Sequence, residues 1–248
     1  MNFIGIIPAR FQSTRFPGKP LVLLNGKPIV QWVYENAQKA LDEVYVATDD
    51  ERIFKTVEAF GGKAVFTSAD HQSGTDRCAE AAQELAKKMK VDVVVNIQGD
   101  EPFIRSEQIE GLKSCFDMPE TEIATLIKSI TNATEISNIN RPKVVINRQQ
   151  EAMYFSRSPI PFVRGCSLDE WLLHNTFYSH IGMYAYRFEI LLELTKLPVG
   201  LLEKAESLEQ LRWLENGYRI KTAQTLFDNI GIDTPEDLEN AKKFLCSD

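Results

Sequence analysis

Short apolar, β-branched runs alternate with helical patterns through the first half of this chain, and this alternation constrains the fold more than any other feature. The predicted strands cover Phe3–Ile7, Glu43–Ala47, Lys63–Phe66, Val91–Ile97 and Glu122–Ile127, and the predicted helices cover Pro28–Ala40, Asp50–Phe60, Thr75–Lys88 and Ser106–Phe116. Strands joined through helices at this spacing form right-handed βαβ crossovers. We therefore expect an α/β fold with a doubly wound, mostly parallel sheet.

The pattern changes near Arg141, where the second half of the chain begins to show a mixed set of elements. Its predicted strands are Val144–Ile146, Ala152–Phe155 and Phe177–Tyr186, and its predicted helices are Arg187–Thr195, Ser207–Asn216 and Pro235–Leu245. The chain has no internal repeat, low-complexity stretch or Gly/Ser-rich linker. We expect one domain over residues 1–248, with a smaller mixed-sheet lobe inserted at about residues 141–200.

The composition excludes several classes of protein. A net charge of −7 disfavours a general binder of nucleic acid or of anionic membranes. The four cysteines form no Cys-x-x-Cys pair, which disfavours a zinc site or a disulfide framework. No apolar stretch approaches the roughly 18 residues of a membrane span, and the N-terminus lacks the basic region of a signal peptide. We expect a cytoplasmic protein.

The loop predicted after the first strand is basic. Residues 1–34 contain no acidic residue and four basic ones, Arg10, Arg15, Lys19 and Lys27. The loop adds the hydroxyls of Ser13 and Thr14, and Gly18 lets its backbone approach a ligand closely. Guanidinium, ammonium and backbone N–H groups together bind polyphosphates, although neither a Walker A motif nor Gly-x-Gly-x-x-Gly is present. We predict a phosphate-binding loop; ordinary surface charge is the alternative.

Two further loops carry polar residues after predicted strands. Asp100 follows an apolar strand, and Mg²⁺ takes one or two carboxylates together with phosphate oxygens and water, although Asp100 could instead only shape a turn. Residues 70–77 combine small hydroxyl residues, a glycine, an acid and an arginine at a helix start, which alone could be a capped turn. Ligands of such sheets bind outside the carboxyl ends of the strands, where these loops lie.

A basic run in the second half contains Arg141, Lys143, Arg148, Arg157 and Arg164, with Glu151 as its one acid between 141 and 166. A solvated strand face explains most of these charges. We single out only Arg157, because it lies in a Ser-Arg-Ser-Pro turn.

Seven segments together closely resemble the 3-deoxy-manno-octulosonate cytidylyltransferases, or CMP-Kdo synthetases. They are IPARFQSTRFPGKPL at 7–21, HQSGTDR at 71–77, NIQGDEP at 96–102, YFSRSPIP at 154–161, HIGMYAYR at 180–187, EKAESLEQLRWLE at 203–215 and GIDTPEDL at 231–238. The resemblance extends over the full length of the chain. It implies an enzyme that transfers CMP from CTP to the anomeric hydroxyl of the acidic sugar Kdo, releasing pyrophosphate, for lipopolysaccharide synthesis.

The resemblance also implies roles for individual residues. The nucleotide-binding candidates are Arg10, Ser13, Arg15, Lys19, Ser73, Gly74, Thr75, Asp76 and Arg77, with the segment 73–77 on the cytidine side. The sugar-binding candidates are Gln98, Arg157, His180, Tyr184, Glu209 and Gln210. Asp100 and Asp233 would share Mg²⁺ and, with Arg10 and Lys19, form the catalytic set. A homodimer built through the second-half strands is implied as well.

The predicted chemistry is an in-line displacement at the α-phosphorus, in which positioning and neutralisation of oxygen charge supply most of the catalysis. Three alternatives stay open at this point. The enzyme could act on another acidic sugar, a sialic acid or an amino derivative of Kdo. The chain could be a nucleotide-binding regulator without chemistry, or a nucleic-acid binder, which its acidic charge disfavours.

Overall fold

The computed structural model describes residues 1–12 and 16–245. Its strands are β1 (Phe3–Pro8), β2 (Leu23–Leu24), β3 (Lys27–Pro28), β4 (Glu43–Thr48), β5 (Ala64–Phe66), β6 (Val93–Asn96), β7 (Ile123–Ser129), β8 (Lys143–Ile146), β9 (Ala152–Ser156), β10 (Tyr178–Arg187) and β11 (Ile220–Gln224). Its helices are α1 (Ile29–Ala37), α2 (Glu51–Ala59), α3 (Gly74–Ala86), α4 (Ser106–Ser114), α5 (Ala133–Ile136), α6 (Trp171–His174), α7 (Phe188–Leu194), α8 (Leu201–Glu206), α9 (Gln210–Glu215) and α10 (Pro235–Leu245). In the part of the chain that the structure describes, no helix is long and apolar enough to cross a membrane.

The chain divides into two compact units. Unit 1 comprises residues 1–110, 185–195 and 229–248, and unit 2 comprises residues 111–184 and 196–228. The expectation of a single domain with a smaller lobe at about 141–200 stays a prediction.

Unit 1 is built on parallel strands in the order β6-β1-β4-β5. The central strand β1 is buried on both faces, since Ile4, Ile6 and Ile7 are all inaccessible to solvent. The register pairs Ile6 with Asn96, so β1 and β6 end side by side. The loops that follow these two strands therefore start from the same edge of the sheet.

Unit 2 has a more mixed pattern of strands. β7 and β11 are parallel, whereas β8 is antiparallel to both β9 and β10. Its core includes the fully buried Phe155, Leu211 and Trp213. A second apolar cluster contains Ile130, Ile136, Trp171 and Phe177.

The prediction of an α/β fold with a mostly parallel sheet is confirmed, and each predicted strand and helix has a counterpart in the structure. Among the described residues, the elements without a sequence prediction are the strands β2, β3 and β11 and the helices α5, α6 and α8. The helix predicted over Ser207–Asn216 begins only at Gln210, because Ser207 has a left-handed backbone with φ 51° and ψ 49°. The amphipathic spacing of Leu208 and Leu211 continues across this break, which is why the pattern did not reveal it.

Gly99 is required where the loop after β6 passes the end of β1. A Cβ atom at Gly99 would lie 2.8 Å from the carbonyl oxygen of Pro8, and a backbone atom cannot move away as a side-chain tip can. We expect Gly99→Ala to lower the free energy of unfolding by about 1–3 kcal/mol, measured by chemical denaturation.

Gly111→Ala is the matched control, because a Cβ at this helical position meets only ordinary contacts at 3.7 Å and beyond. It should raise stability by about 0.5–1 kcal/mol, the usual gain for alanine over glycine in a helix. Equal stability of the two variants would show that the close approach at Gly99 does not constrain the loops.

Candidate active site

A cavity of about 270 Å³ opens in unit 1 at the carboxyl ends of β1 and β6. The residues that line it and were predicted as site residues are Arg10, Lys19, Ser73, Gly74, Arg77, Gln98, Asp100 and Asp233. They come from the loop after β1, the start of α3, the loop after β6 and the segment before α10. The structure thus brings together the three loops that the sequence singled out. Ser13 and Arg15, also predicted to bind nucleotide, lie outside the described residues.

Lys19 joins two carboxylates at this cavity. Its Nζ donates to Asp100 Oδ2 at 2.5 Å and to Asp233 Oδ1 at 2.8 Å. Gly18 leads into Lys19 with a left-handed φ of 73°, which glycine adopts at little cost. Burial disfavours the charged form of Lys19 and by itself would lower its pKa. The neighbouring carboxylates of Asp100 and Asp233 have the larger effect, so the pKa of Lys19 is raised above the ordinary value.

The two aspartates suit a divalent cation that also binds substrate. Their oxygens already converge on one cationic atom, the Nζ of Lys19. Among residues 1–12 and 16–245, no group of three or more His, Cys, Asp or Glu side chains is placed to hold a metal ion. Two carboxylates completed by phosphate oxygens and water are the set that Mg²⁺ takes in nucleotide sites. The pair therefore fits a cation that arrives with a phosphorylated ligand.

A third acid, Glu101, lies behind these carboxylates and was missed by the sequence reasoning. Burial, reinforced by the charges of Asp100 and Asp233, raises the pKa of Glu101 to about 8. Asn229 Nδ2 donates to the Glu101 carboxyl group, and Gln108 Nε2 donates to Asn229 Oδ1 at 2.8 Å. The position of Glu101 beside Asp100 in the NIQGDEP segment was the available signal. Its hydrogen bonds anchor the loop that carries Asp100.

The segment before α3 is a capped helix start that also faces the cavity. Ser73 Oγ accepts from the backbone N–H of Asp76 at 3.1 Å, and the Asp76 carboxylate accepts from the N–H of Ser73 at 3.3 Å. This capping box orients the N-terminus of a 13-residue helix, where anions bind favourably. Asp76 therefore has a structural use, and Thr75 is buried beneath the turn.

Arg77 and His71 connect the segment 71–77 to neighbouring polar side chains. Arg77 is buried, and its Nη1 donates to Thr67 Oγ1 at 2.6 Å and lies 3.2 Å from Asp49 Oδ1. His71 lines the cavity and pairs through Nε2 with the Glu80 carboxylate. Sequence reasoning left His71 without a role, because a single histidine in a loop gives no spacing signal.

Four of the predicted sugar-binding residues, His180, Tyr184, Glu209 and Gln210, lie in unit 2. His180 Nε2 lies 3.0 Å from Thr125 Oγ1, and the rings of His180 and Tyr184 are 5.3 Å apart. Part of His180 reaches the surface, yet desolvation of its ring lowers its pKa to about 3, so the imidazole is neutral at physiological pH. Burial likewise raises the pKa of Tyr184.

Gln210 is the first residue of α9, and Glu209 directly precedes it. Gln210 is 5 % exposed, and its Nε2 has no hydrogen-bond partner among the described residues. A buried amide without a partner is costly, so this group is suited to binding a polar ligand. The sugar-binding roles of His180, Tyr184, Glu209 and Gln210 stay predictions.

Lys143 is an exception within the basic run of the second half. A solvated strand face was predicted for most of these charges, but the side chain of Lys143 is inaccessible to solvent. Arg157 is in turn engaged by backbone carbonyl groups of unit 2. Its predicted contact with the sugar is untested.

Comparison with known proteins gives a consistent result. The family model described as "Cytidylyltransferase" matches residues 4–221. A protein of Parabacteroides distasonis named 3-deoxy-manno-octulosonate cytidylyltransferase is 58 % identical, over 100 % of this chain and 99 % of its own length. A solved structure of CMP:2-keto-3-deoxy-manno-octonic acid synthetase complexed with CTP has a TM-score of 0.91 and 42 % identity, covering 100 % of this chain and 99 % of its own.

A more distant structure shares the fold alone. It is a Bacillus anthracis protein described as a glucose-1-phosphate thymidylyltransferase, with a TM-score of 0.64 and 15 % identity, covering 98 % of this chain and 94 % of its own.

The neutral state of His180 has a measurable consequence for stability. Its pKa is about 3 in the folded chain, against an unfolded value of about 6.5. The unfolded chain therefore binds an extra proton between these values, and the contribution of this residue to stability is complete above about pH 6.5 and is lost as the pH falls towards 3.

We expect His180→Gln to flatten the dependence of the free energy of unfolding on pH between about pH 6.5 and 4, measured by urea titration at several pH values. Identical pH slopes in the variant and the unmodified protein would show that His180 is protonated in the folded state.

Proposed function

The chain belongs to the 3-deoxy-manno-octulosonate cytidylyltransferase family, and we propose that it transfers CMP from CTP to the anomeric hydroxyl of Kdo and releases pyrophosphate. It is thus a nucleotidyltransferase, as the sequence predicted. The observation that carries the proposal within the molecule is the convergence of Lys19, Asp100 and Asp233 at the cavity of unit 1. The product would activate the sugar for lipopolysaccharide synthesis.

The cavity supplies the groups that a nucleoside triphosphate needs. Arg10 and Lys19 give positive charge for the phosphate oxygens, and the N-terminus of α3 at Ser73 and Gly74 adds backbone N–H donors. We propose that the segment 73–77 contacts the cytidine side. Ser13 and Arg15 are proposed to complete the phosphate contacts from the loop after β1.

The same residues suit an in-line displacement at the α-phosphorus. Lys19 is placed to exchange a carboxylate for a phosphate oxygen, which neutralises charge as the pyrophosphate leaves. This exchange frees Asp100 and Asp233 to act as cation ligands. Mg²⁺, which we propose as the cofactor, would supply charge neutralisation at the phosphates and polarise the sugar hydroxyl.

The proposed sugar contacts use neutral donors and acceptors as well as charge. Gln98 lines the cavity of unit 1. The other proposed contacts, His180, Tyr184, Glu209 and Gln210, lie in unit 2. A neutral imidazole can donate and accept hydrogen bonds with sugar hydroxyls. The unpartnered Gln210 Nε2 provides a further donor. We also propose that the enzyme is cytoplasmic and is a homodimer built through the second-half strands.

The metal role of the two aspartates can be tested directly. Asp100→Asn and Asp233→Asn should each lower kcat/KM by roughly 100-fold or more and raise the Mg²⁺ concentration required, since a neutral amide is a weaker cation ligand. The measurement is pyrophosphate release with CTP and Kdo at several Mg²⁺ concentrations.

Asp117→Asn removes a carboxylate from an exposed position and is the matched control, for which we expect unchanged turnover. Near-normal rates in both Asp100→Asn and Asp233→Asn would contradict the metal assignment.

The choice of sugar separates this proposal from its alternatives. Kdo should support pyrophosphate release from CTP, and N-acetylneuraminic acid, a nine-carbon acidic sugar, should not. An amino derivative of Kdo assayed in parallel reports preference within the same sugar class. Turnover with the sialic acid and none with Kdo would overturn the proposal, and binding of CTP without turnover on any sugar would indicate a regulator.

A further inference from the structure

Lys143 is a fully buried lysine that the proposed chemistry does not use. It lies in β8, and its Nζ donates to the carbonyl oxygen of Arg157 at 2.6 Å and to that of Asn138 at 2.8 Å. Burial lowers the pKa of Lys143; the charge of Glu206 opposes this shift and that of Arg157 adds to it. An ammonium group withdrawn from water is tolerated only when such acceptors satisfy it. With no solvent exposure, Lys143 has no access to substrate.

Within the described residues, the guanidinium group of Arg157 donates its hydrogen bonds to backbone carbonyl groups. Its Nε donates to the carbonyl of Glu206 at 2.6 Å, its Nη1 to Ile139 at 2.9 Å and its Nη2 to Ser207 at 3.3 Å. The Glu206 carboxylate in turn accepts hydrogen bonds from the backbone N–H of Arg157 at 2.9 Å and from Ser156 Oγ at 2.6 Å. This network therefore ties together the end of β9, the end of α8 and the segment at 138–139.

The network fixes an unusual turn between α8 and α9. Ser207 ends α8 in the left-handed conformation, which a non-glycine residue adopts only at a cost. The last carbonyl groups of a helix lack partners within it, and Arg157 satisfies two of them, those of Glu206 and Ser207. The chain then passes through Leu208, which is buried, directly to Glu209 and Gln210.

We infer that Lys143, Arg157 and Glu206 are positioning residues, which hold the turn at Ser207 and thereby set the places of Glu209 and Gln210 for binding the sugar. This inference rests on the proposed function. It also assigns Arg157 a different task from the predicted one: the residue acts on the sugar site through the α8–α9 turn, without contacting the sugar itself. Lys143 holds the Arg157 backbone, and Glu206 holds it from the opposite side.

The first test replaces the planar fork of Arg157 by a single ammonium group. Arg157→Lys keeps the charge but cannot reach the carbonyls of Glu206, Ser207 and Ile139 together. We expect the KM for Kdo to rise about tenfold while the KM for CTP stays within about twofold. Arg141→Lys is the matched control, since Arg141 binds Glu135 and Asp228 in the same unit, and it should leave both KM values unchanged.

Glu206→Gln provides a second variant should Arg157→Lys not fold, and the same selective rise in the KM for Kdo is expected. A purely structural role would lower the amount of folded enzyme, and hence the apparent kcat, without changing the KM for Kdo. That outcome in the two variants would overturn the inference.

A double-mutant cycle with Gln210→Ala distinguishes positioning from direct contact. If Arg157 acts through the turn, Arg157→Lys raises the KM for Kdo by a smaller factor once the Gln210 amide is gone, because only Glu209 is left to be positioned. If Arg157 binds the sugar itself, the two effects add, and the inference fails. The unmodified enzyme is assayed first with CTP and Kdo, so that an absence of turnover there identifies a failure of the proposed function itself.

Discussion

The cavity of unit 1 depends on one ammonium group held between two carboxylates. Lys19 is 81 residues from Asp100 and 214 residues from Asp233 in the sequence, so these two contacts hold three distant segments of the chain together. One cation against two anions leaves the cluster with an excess negative charge. The raised pKa of Glu101, caused by burial and then by the two aspartates, shows that a further negative charge is resisted there. Such a site is stabilised by an additional cation, which is the electrostatic basis for the metal proposed with the nucleotide.

The backbone of the parallel sheet places these charges where a nucleotide can meet them. β1 and β6 end together because Ile6 pairs with Asn96, and Gly99 allows the next loop to pass close to the Pro8 carbonyl. The capping box at Ser73 then aims the N-terminus of α3 at the same cavity. In the proposed function, phosphate oxygens would bind these N–H groups as well as the cationic side chains. Donors that are fixed before the ligand binds are the condition for effective electrostatic catalysis.

The sequence predicted the parts of this arrangement that have a periodic or local signal. Apolar runs identified the strands, and loops after strand ends identified the cavity, because parallel topology brings such ends together. Three features had no such signal: the strand β11, the break at Ser207 and the burial of Lys143. Each depends on where hydrogen-bond donors and acceptors meet in three dimensions. Apolar spacing reports which face of an element is buried, and it does not report which carbonyl groups need a distant partner.

Lys19 and Lys143 show how the acceptor distinguishes a reactive site from a structural support. Lys19 is 13 % exposed and bound to carboxylates, which have an alternative use as cation ligands, so its ammonium can change partners when phosphate arrives. Lys143 has no exposure and is bound to carbonyl oxygens, so a phosphate oxygen cannot reach its ammonium group. Replacement of an acceptor by a phosphate oxygen is therefore favourable at Lys19 and prevented at Lys143. The nature of the acceptor, rather than membership of a basic run, decides which lysine can take part in chemistry.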